Sequence, residues 1–270
     1  MEQEFSPSSV NTYLQCGYKF GLQYGYVTGE RIRTPPSGFI QRGKAVHEGI
    51  KYNYQQKIES HKDLPLGDVV MVAAEKFSDL MKEEEVITDI DEPSVGKLLD
   101  TTAKLAEVYQ KVVSPHIQPE RIEVKLEMDI KDPFGGEPIH FIGFPDVETA
   151  TAIHDTKTKN GLVKKTPQIT PGYQRQLTAY QILREQEGKT VETLTNDFTY
   201  LTTSETPTIL PVTIPARNEE QKKNYLDTVA EVAKGVRAGV FVPNTDGFLC
   251  SQRYCSYWGK YCSYGPRAHS

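Results

Sequence analysis

From Arg121 the chain spells RIEVKLEMDI, a strict alternation with Ile122, Val124, Leu126, Met128 and Ile130 on one side and charges on the other. A period of two is the signature of a strand with one buried face. The residues before it follow a helical period instead. The change of texture at residue 121 therefore demands a fold in which helices pack on a sheet.

Upstream, SPSSVNTYLQCGYKFGLQYGY reads as one N-terminal helix, with Ser6 as N-cap, Pro7 in the first helical position and Val10, Tyr13 and Leu14 on an apolar stripe. RTPPSG interrupts it. A second helix is expected from Gly38 through QRGKAVHEGIKYNYQQK. Two more cover about 67–84 and 94–113, separated by the acidic turn DIDEP. Downstream, DPFGGEP is a turn, and IHFIGFPDVETA and TAIHDTK read as the next two strands of a meander. TPGYQRQLTAYQILREQEG is a helix with Thr170 as N-cap, Pro171 first and Gly188 past its end. LTNDFTYLTT and TILPVTIP are further strands, and a last helix covers about 217–238. This order predicts an α/β fold with a central mixed sheet flanked by helices. The expected organisation is a single domain over 1–270. It comprises a helical section over 1–120, a core over 121–215, and a C-terminal helix with a cysteine-rich tail over 216–270.

No apolar run approaches the roughly 18 residues of a membrane span. The opening MEQEFSPSS is acidic and polar, unlike a secretory signal, so a cytoplasmic setting is expected, in which disulfides are rare. The net charge of -5 repels anionic polymers on average, so binding one requires a local basic patch.

Such a patch adjoins the most chemically suggestive stretch, GFPDVETATAIHDTKTK. In an extended strand Asp155 and Lys157 share a face and Thr156 points away. A short turn around Thr149–Thr151 could bring Asp146 alongside. Two carboxylates and a lysine then converge, a set suited to Mg²⁺ or Mn²⁺ and to water activation at a phosphate. A surface Asp–Lys pair is the plainer alternative. Between Thr156 and Leu183 there is no acidic residue, while Lys157, Lys159, Lys164, Lys165 and Arg175 are present, the footprint expected for a phosphate backbone. On the following helix Gln176 and Tyr180 are four apart and share a face, to touch a nucleotide or to pack. His47, on a helix among Ala45, Val46 and Ile50, would not be selected by its own surroundings.

GKAVHEGI, GFPDV, HDTKTK and QRQLTAY occur in that order. Together they resemble the PD-(D/E)XK nuclease superfamily, in particular its RecB-like branch, with a G-x-x-x-H helix, a G-x-x-D strand, a D-x-K strand and a Q-x-x-x-Y helix. The resemblance spans residues 43–180. It implies a restriction-endonuclease-like core with His47, Asp146, Asp155 and the Thr156 carbonyl as metal ligands. Lys157 would be the catalytic lysine, and Gln176 and Tyr180 would lie on the DNA-binding helix. Some members add a Glu on the preceding strand. Glu123 and Glu127 are in that region, and solvent-facing charge is the simpler account of at least one of them.

Three of the four cysteines, Cys250, Cys255 and Cys262, fall in CSQRYCSYWGKYC near the C-terminus, and the fourth, Cys16, lies near the N-terminus. Four thiolates can close a Zn²⁺ site or hold a [4Fe–4S] cluster. The C-x4-C-x6-C spacing lacks the tight pairs of structural zinc sites. An iron–sulfur subset of RecB-like nucleases, including AddB-type subunits and CRISPR-associated spacer-trimming nucleases, places one cysteine before the core and three after it. Its usual trio is more closely spaced than this one. The resemblance implies a [4Fe–4S] staple between the ends of the chain, with Zn²⁺ the alternative. Tyr254, Tyr257, Trp258 and Tyr261 would shield it or stack on bases.

The expectation is a metal-dependent DNA exonuclease for single strands or free ends, in repair, recombination, CRISPR adaptation or phage DNA processing. No G-x-x-x-x-G-K-[ST] loop occurs, so the chain works alone or with a separate helicase or recombination protein. A non-cleaving DNA-end-binding module and a restriction-type endonuclease are the competing expectations.

Overall fold

The computed structural model describes residues 4–83, 93–160, 169–201 and 206–268. They group into two compact units. One comprises Met1–Pro35, Glu127–Gly143 and Asn218–Ser270; the other comprises Pro36–Leu126 and Phe144–Arg217.

The second of these units holds the central sheet. Its helices are α3 (Gly38–Ser60), α4 (Leu66–Glu83) and α5 (Val95–Val112); α4 and α5 lie within one residue of their expected bounds, and α3 starts where expected and runs three residues past Lys57. DIDEP lies largely outside the described residues. Ser37 caps α3 through its side chain, and Ser94 caps α5 likewise. The strands are β1 (Arg121–Ile122), β4 (Val147–Glu148), β5 (Ala152–Asn160), β6 (Thr193–Leu201) and β7 (Pro207–Pro215), side by side in that order. Only β5 and β6 are parallel, as their crossover through α6 (Pro171–Gln186) requires; the other pairings are antiparallel. The sheet is thus mixed. Ile153 and Leu194 pack with Leu177 and Tyr180 of α6. Val147 packs with Val46 and Ile50 of α3 and with Leu105 and Tyr109 of α5.

The first unit contains α1 (Pro7–Gln15), α2 (Gly17–Tyr24), α7 (Glu219–Arg237), α8 (Tyr264–Ala268) and, all but its first residue, the two-stranded sheet of β2 (Leu126–Ile130) and β3 (Ile139–Gly143). Reciprocal capping boxes start α1 at Ser6 and α7 at Asn218. The single N-terminal helix of the sequence reading is two helices. Cys16 is extended, at φ -164° and ψ 107°; its N–H closes α1 on Thr12 O, and its Sγ accepts from Lys19 N to start α2.

Two expected strands are also divided. RIEVKLEMDI breaks at Glu123, whose φ of 48° is left-handed and whose N–H turns to the carbonyls of Pro145 and Asp146. Val124 is consequently exposed, and alternation survives only in β2, where Leu126 and Ile130 are buried. IHFIGFPDVETA divides into β3 and β4 at Phe144–Asp146, where Pro145 has no N–H for a ladder. The expected meander is therefore confined to β1, β4 and β5, while β2 and β3 form their own sheet.

Candidate active site

The hairpin of β4 and β5 carries the centre of the site. Thr149 closes it, donating its N–H to Ala152 O at 2.9 Å and accepting from Ala152 N at 3.1 Å through its hydroxyl. The buried Arg184 of α6 clasps the same turn by donating to the carbonyls of Thr149, Ala150 and Ala152. This brings Asp146 beside β5, where its Oδ2 accepts from Thr156 N at 2.7 Å. From α3, His47 reaches the opposite pole of the same residue: its Nε2 lies 2.8 Å from Thr156 O, and its Nδ1 is 3.5 Å from Asp146 Oδ2. Gly43, one turn earlier, permits that approach, because a Cβ there would lie 3.1 Å from Thr158 Oγ1.

Asp155 is fully buried. Lys157 Nζ donates to its two oxygens at 2.8 and 2.7 Å, so the expected shared face is real. Asn196, also fully buried and facing Asp155 across the parallel β5–β6 register, donates to Oδ2 at 2.7 Å. Burial pushes the Asp155 carboxyl up to about 6, and the charge of Asp146 adds to that, against the opposing pull of Lys157 and His47. Burial would lower the Lys157 ammonium, but the charges of Asp155 and Asp146 outweigh it and hold it above its ordinary value. The donor set of two carboxylates, a carbonyl and an imidazole fits a hard divalent cation, which is what two neighbouring carboxylates ask for. As arranged here these donors hold one another. Among the described residues no three His, Cys, Asp or Glu side chains are set closely enough to grip a metal ion.

The expected nucleic-acid contacts are dispersed. Gln176 and Tyr180 do share a face, and Gln176 Nε2 donates to the Tyr180 hydroxyl at 2.9 Å; the Tyr180 ring itself is buried in the core beneath α6. Arg175 is half-buried on the same helix. Lys159 donates to the Tyr173 hydroxyl and lies 4.4 Å from the centre of that ring, which Lys157 also approaches at 5.6 Å. Lys164 and Lys165 lie outside the described residues. Glu123 is paired with Lys51 at 2.6 Å and lines an open cavity of about 480 Å³ together with His47, Lys44 and Lys76.

The sequence reading did not find Asn196, Tyr173 or the Asp197 network behind β5. Asp197 is buried, with Oδ2 at 3.0 Å from His154 Nδ1 and accepting from Tyr109 OH at 3.5 Å. The available signal was the polar pair Asn196–Asp197 inside an expected strand.

In the other unit Cys16, Cys250, Cys255 and Cys262 all line one cavity of about 220 Å³, with Leu22, Leu249, Tyr257 and Trp258 among its walls. None of the four is in a disulfide. Burial pushes the Cys250 thiol up, and the charges of the other three add to this. Tyr257 is buried, and its hydroxyl donates to Ile32 O at 3.0 Å.

A mixed sheet with a D-x-K strand beside a histidine-bearing helix defines a nuclease-type core. Residues 4–262 match the model of the PD-(D/E)XK nuclease superfamily, and the chain belongs to it. No curated protein matches the sequence. Among solved structures, one from Eubacterium rectale designated "Putative exonuclease" is similar at 12% identity and a TM-score of 0.50, over 94% of this chain and 87% of that one. A structure designated SSO0001 aligns at 12% identity and a TM-score of 0.40, over 92% of this chain and 95% of that one. At such identity the first likeness speaks for the fold alone. No helix among the described residues is long and apolar enough to cross a membrane.

Proposed function

We propose that the chain is a metal-dependent deoxyribonuclease that shortens DNA from free or single-stranded ends. The observation that carries this reading is the buried Asp155, gripped by Lys157 and Asn196, with Asp146 and His47 meeting at the adjacent Thr156 peptide. His47, Asp146, Asp155 and the Thr156 carbonyl would hold Mg²⁺ or Mn²⁺. Such an ion supplies a water of lowered pKa and offsets charge on the scissile phosphate. Lys157 stabilises the negative charge that builds on the phosphoryl oxygens, from a position held by Asp155 and the Tyr173 ring. Asn196 fixes the orientation of Asp155. Lys159, Arg175 and Gln176 would meet the DNA backbone near the D-x-K strand.

The four cysteines would hold a [4Fe–4S] cluster. A cavity of about 220 Å³ has room for a multi-atom group, whereas a water-sized occupant needs only about 10–15 Å³. A Zn²⁺ held tetrahedrally by the same thiolates is the alternative. A helicase or recombination protein would supply unwound ends.

The test is degradation of end-labelled single-stranded DNA by anaerobically purified protein with Mg²⁺ or Mn²⁺, beside Lys157→Ala. Wild type should shorten the strand stepwise, with the variant slower by about 100-fold or more. Binding without cutting by both proteins in either metal would overturn the reading and favour an end-binding module. Cutting of a closed circle at fixed sites would favour an endonuclease.

A further inference from the structure

The aromatic residues of the C-terminal tail divide into two sets. Tyr257 faces inward, 4% exposed and bonded through its hydroxyl to Ile32. Phe248 and Tyr254 face outward, 76% and 53% exposed. Their rings meet edge to face, with centroids 5.7 Å apart and planes at 82°. Two large rings exposed together and in contact leave aromatic surface open to a flat ligand.

The charge around them indicates what it receives. The Arg253 guanidinium lies 5.7 Å from the Tyr254 ring centre, and Lys260 lies 5.1 Å from that of Tyr261. Residues 247–270 contain Arg253, Lys260 and Arg267 and no Asp or Glu, in a chain whose net charge is -5. An acid-free, cationic segment that presents bare aromatic rings complements a ligand that is anionic along its backbone and flat in its side groups. Single-stranded nucleic acid has both properties: its phosphates pair with arginine and lysine, and its unstacked bases lie on aromatic faces. We propose that Phe248 and Tyr254, flanked by Arg253, form a base-stacking platform for a single strand. None of these residues belongs to the carboxylate site. The platform shares with the nuclease reading only the class of ligand.

The platform can be tested without cleavage, in EDTA, by measuring the Kd of a fluorescent oligothymidylate and of the same-length abasic oligonucleotide. Wild type should bind the thymidylate more tightly. Phe248→Ala/Tyr254→Ala should weaken that binding about 5- to 100-fold, leave abasic binding nearly unchanged and so erase the preference. Tyr254→Phe, which keeps the ring, should bind as wild type. Arg253→Ala should lower the slope of log K against log salt by about 1 for both ligands. Unchanged thymidylate affinity in the double variant would overturn the platform. So would a wild-type dimer that the double variant abolishes with no change in Kd, which would make this a protein-docking face. A protein that binds through these rings and cuts nothing would retire the nuclease reading and keep this one. Cutting together with ring-independent binding would do the reverse.

Discussion

Asp155 places a charge where solvation is poorest, and this has a measurable consequence for stability. Its carboxyl titrates at about 6 in the folded metal-free chain, against an ordinary value near 3.8. A raised carboxyl binds its proton more tightly when folded than when unfolded. The protonated form therefore favours folding at low pH, and that contribution is lost as pH rises from about 4 through about 6. Asparagine resembles the protonated form at every pH. In EDTA, Asp155→Asn should match wild type near pH 4 and exceed it by about 2–3 kcal/mol at pH 7, read by denaturant melts. A gap that does not widen with pH would show that Lys157 and Asn196 already compensate the charge. This site was only partly legible in the sequence. Asp155 and Lys157 were visible because strand period alone puts them on one face. Asp146 was visible because a short turn follows it. Asn196 was not, because its register opposite Asp155 depends on a parallel crossover that no local pattern encodes.

At the scale of elements, the helices of the Pro36–Leu126 segment show how one missing methyl sets a packing distance. A Cβ on Gly49 of α3 would lie 2.9 Å from Val69 O and 3.0 Å from the Cβ of Ala73, both on α4. The carbonyl belongs to a helix backbone and cannot rotate away. Gly49→Ala should therefore force α3 and α4 apart and cost about 1–3 kcal/mol, even though alanine is the better helix former. Gly67 of α4 has open space around its would-be Cβ, so Gly67→Ala should instead add about 0.5–1 kcal/mol. Opposite signs in thermal or urea melts check the pair; equal shifts would mean propensity dominates at both positions. The long helices were legible because period and caps agree in them. The interruptions were not. Glu123 breaks a perfect alternation with a left-handed backbone, and Cys16 ends one helix and starts the next through a thiol, a cap no composition rule would select.

At the scale of the whole chain, the cysteines of its two ends converge on one cavity among the described residues. Bringing Cys16 to the C-terminal trio closes a loop of most of the sequence, which costs chain entropy that folding must supply. Apolar walls and the Tyr257–Ile32 hydrogen bond supply part of it. A group ligated by all four thiols would supply more, since ligand binding confined to the folded state is folding free energy. A cross-link closing so long a loop contributes about 5 kcal/mol by chain entropy. Cys255→Ala should therefore lose the brown colour of an iron–sulfur protein and melt well below wild type. Treating wild type with a chelator and oxidant should reproduce both losses. Zinc in place of iron by elemental analysis, with the same loss of stability, would retain the staple and replace the cluster. A colourless Cys255→Ala protein of full stability would remove the staple altogether and leave the cavity to be held by its aromatic walls.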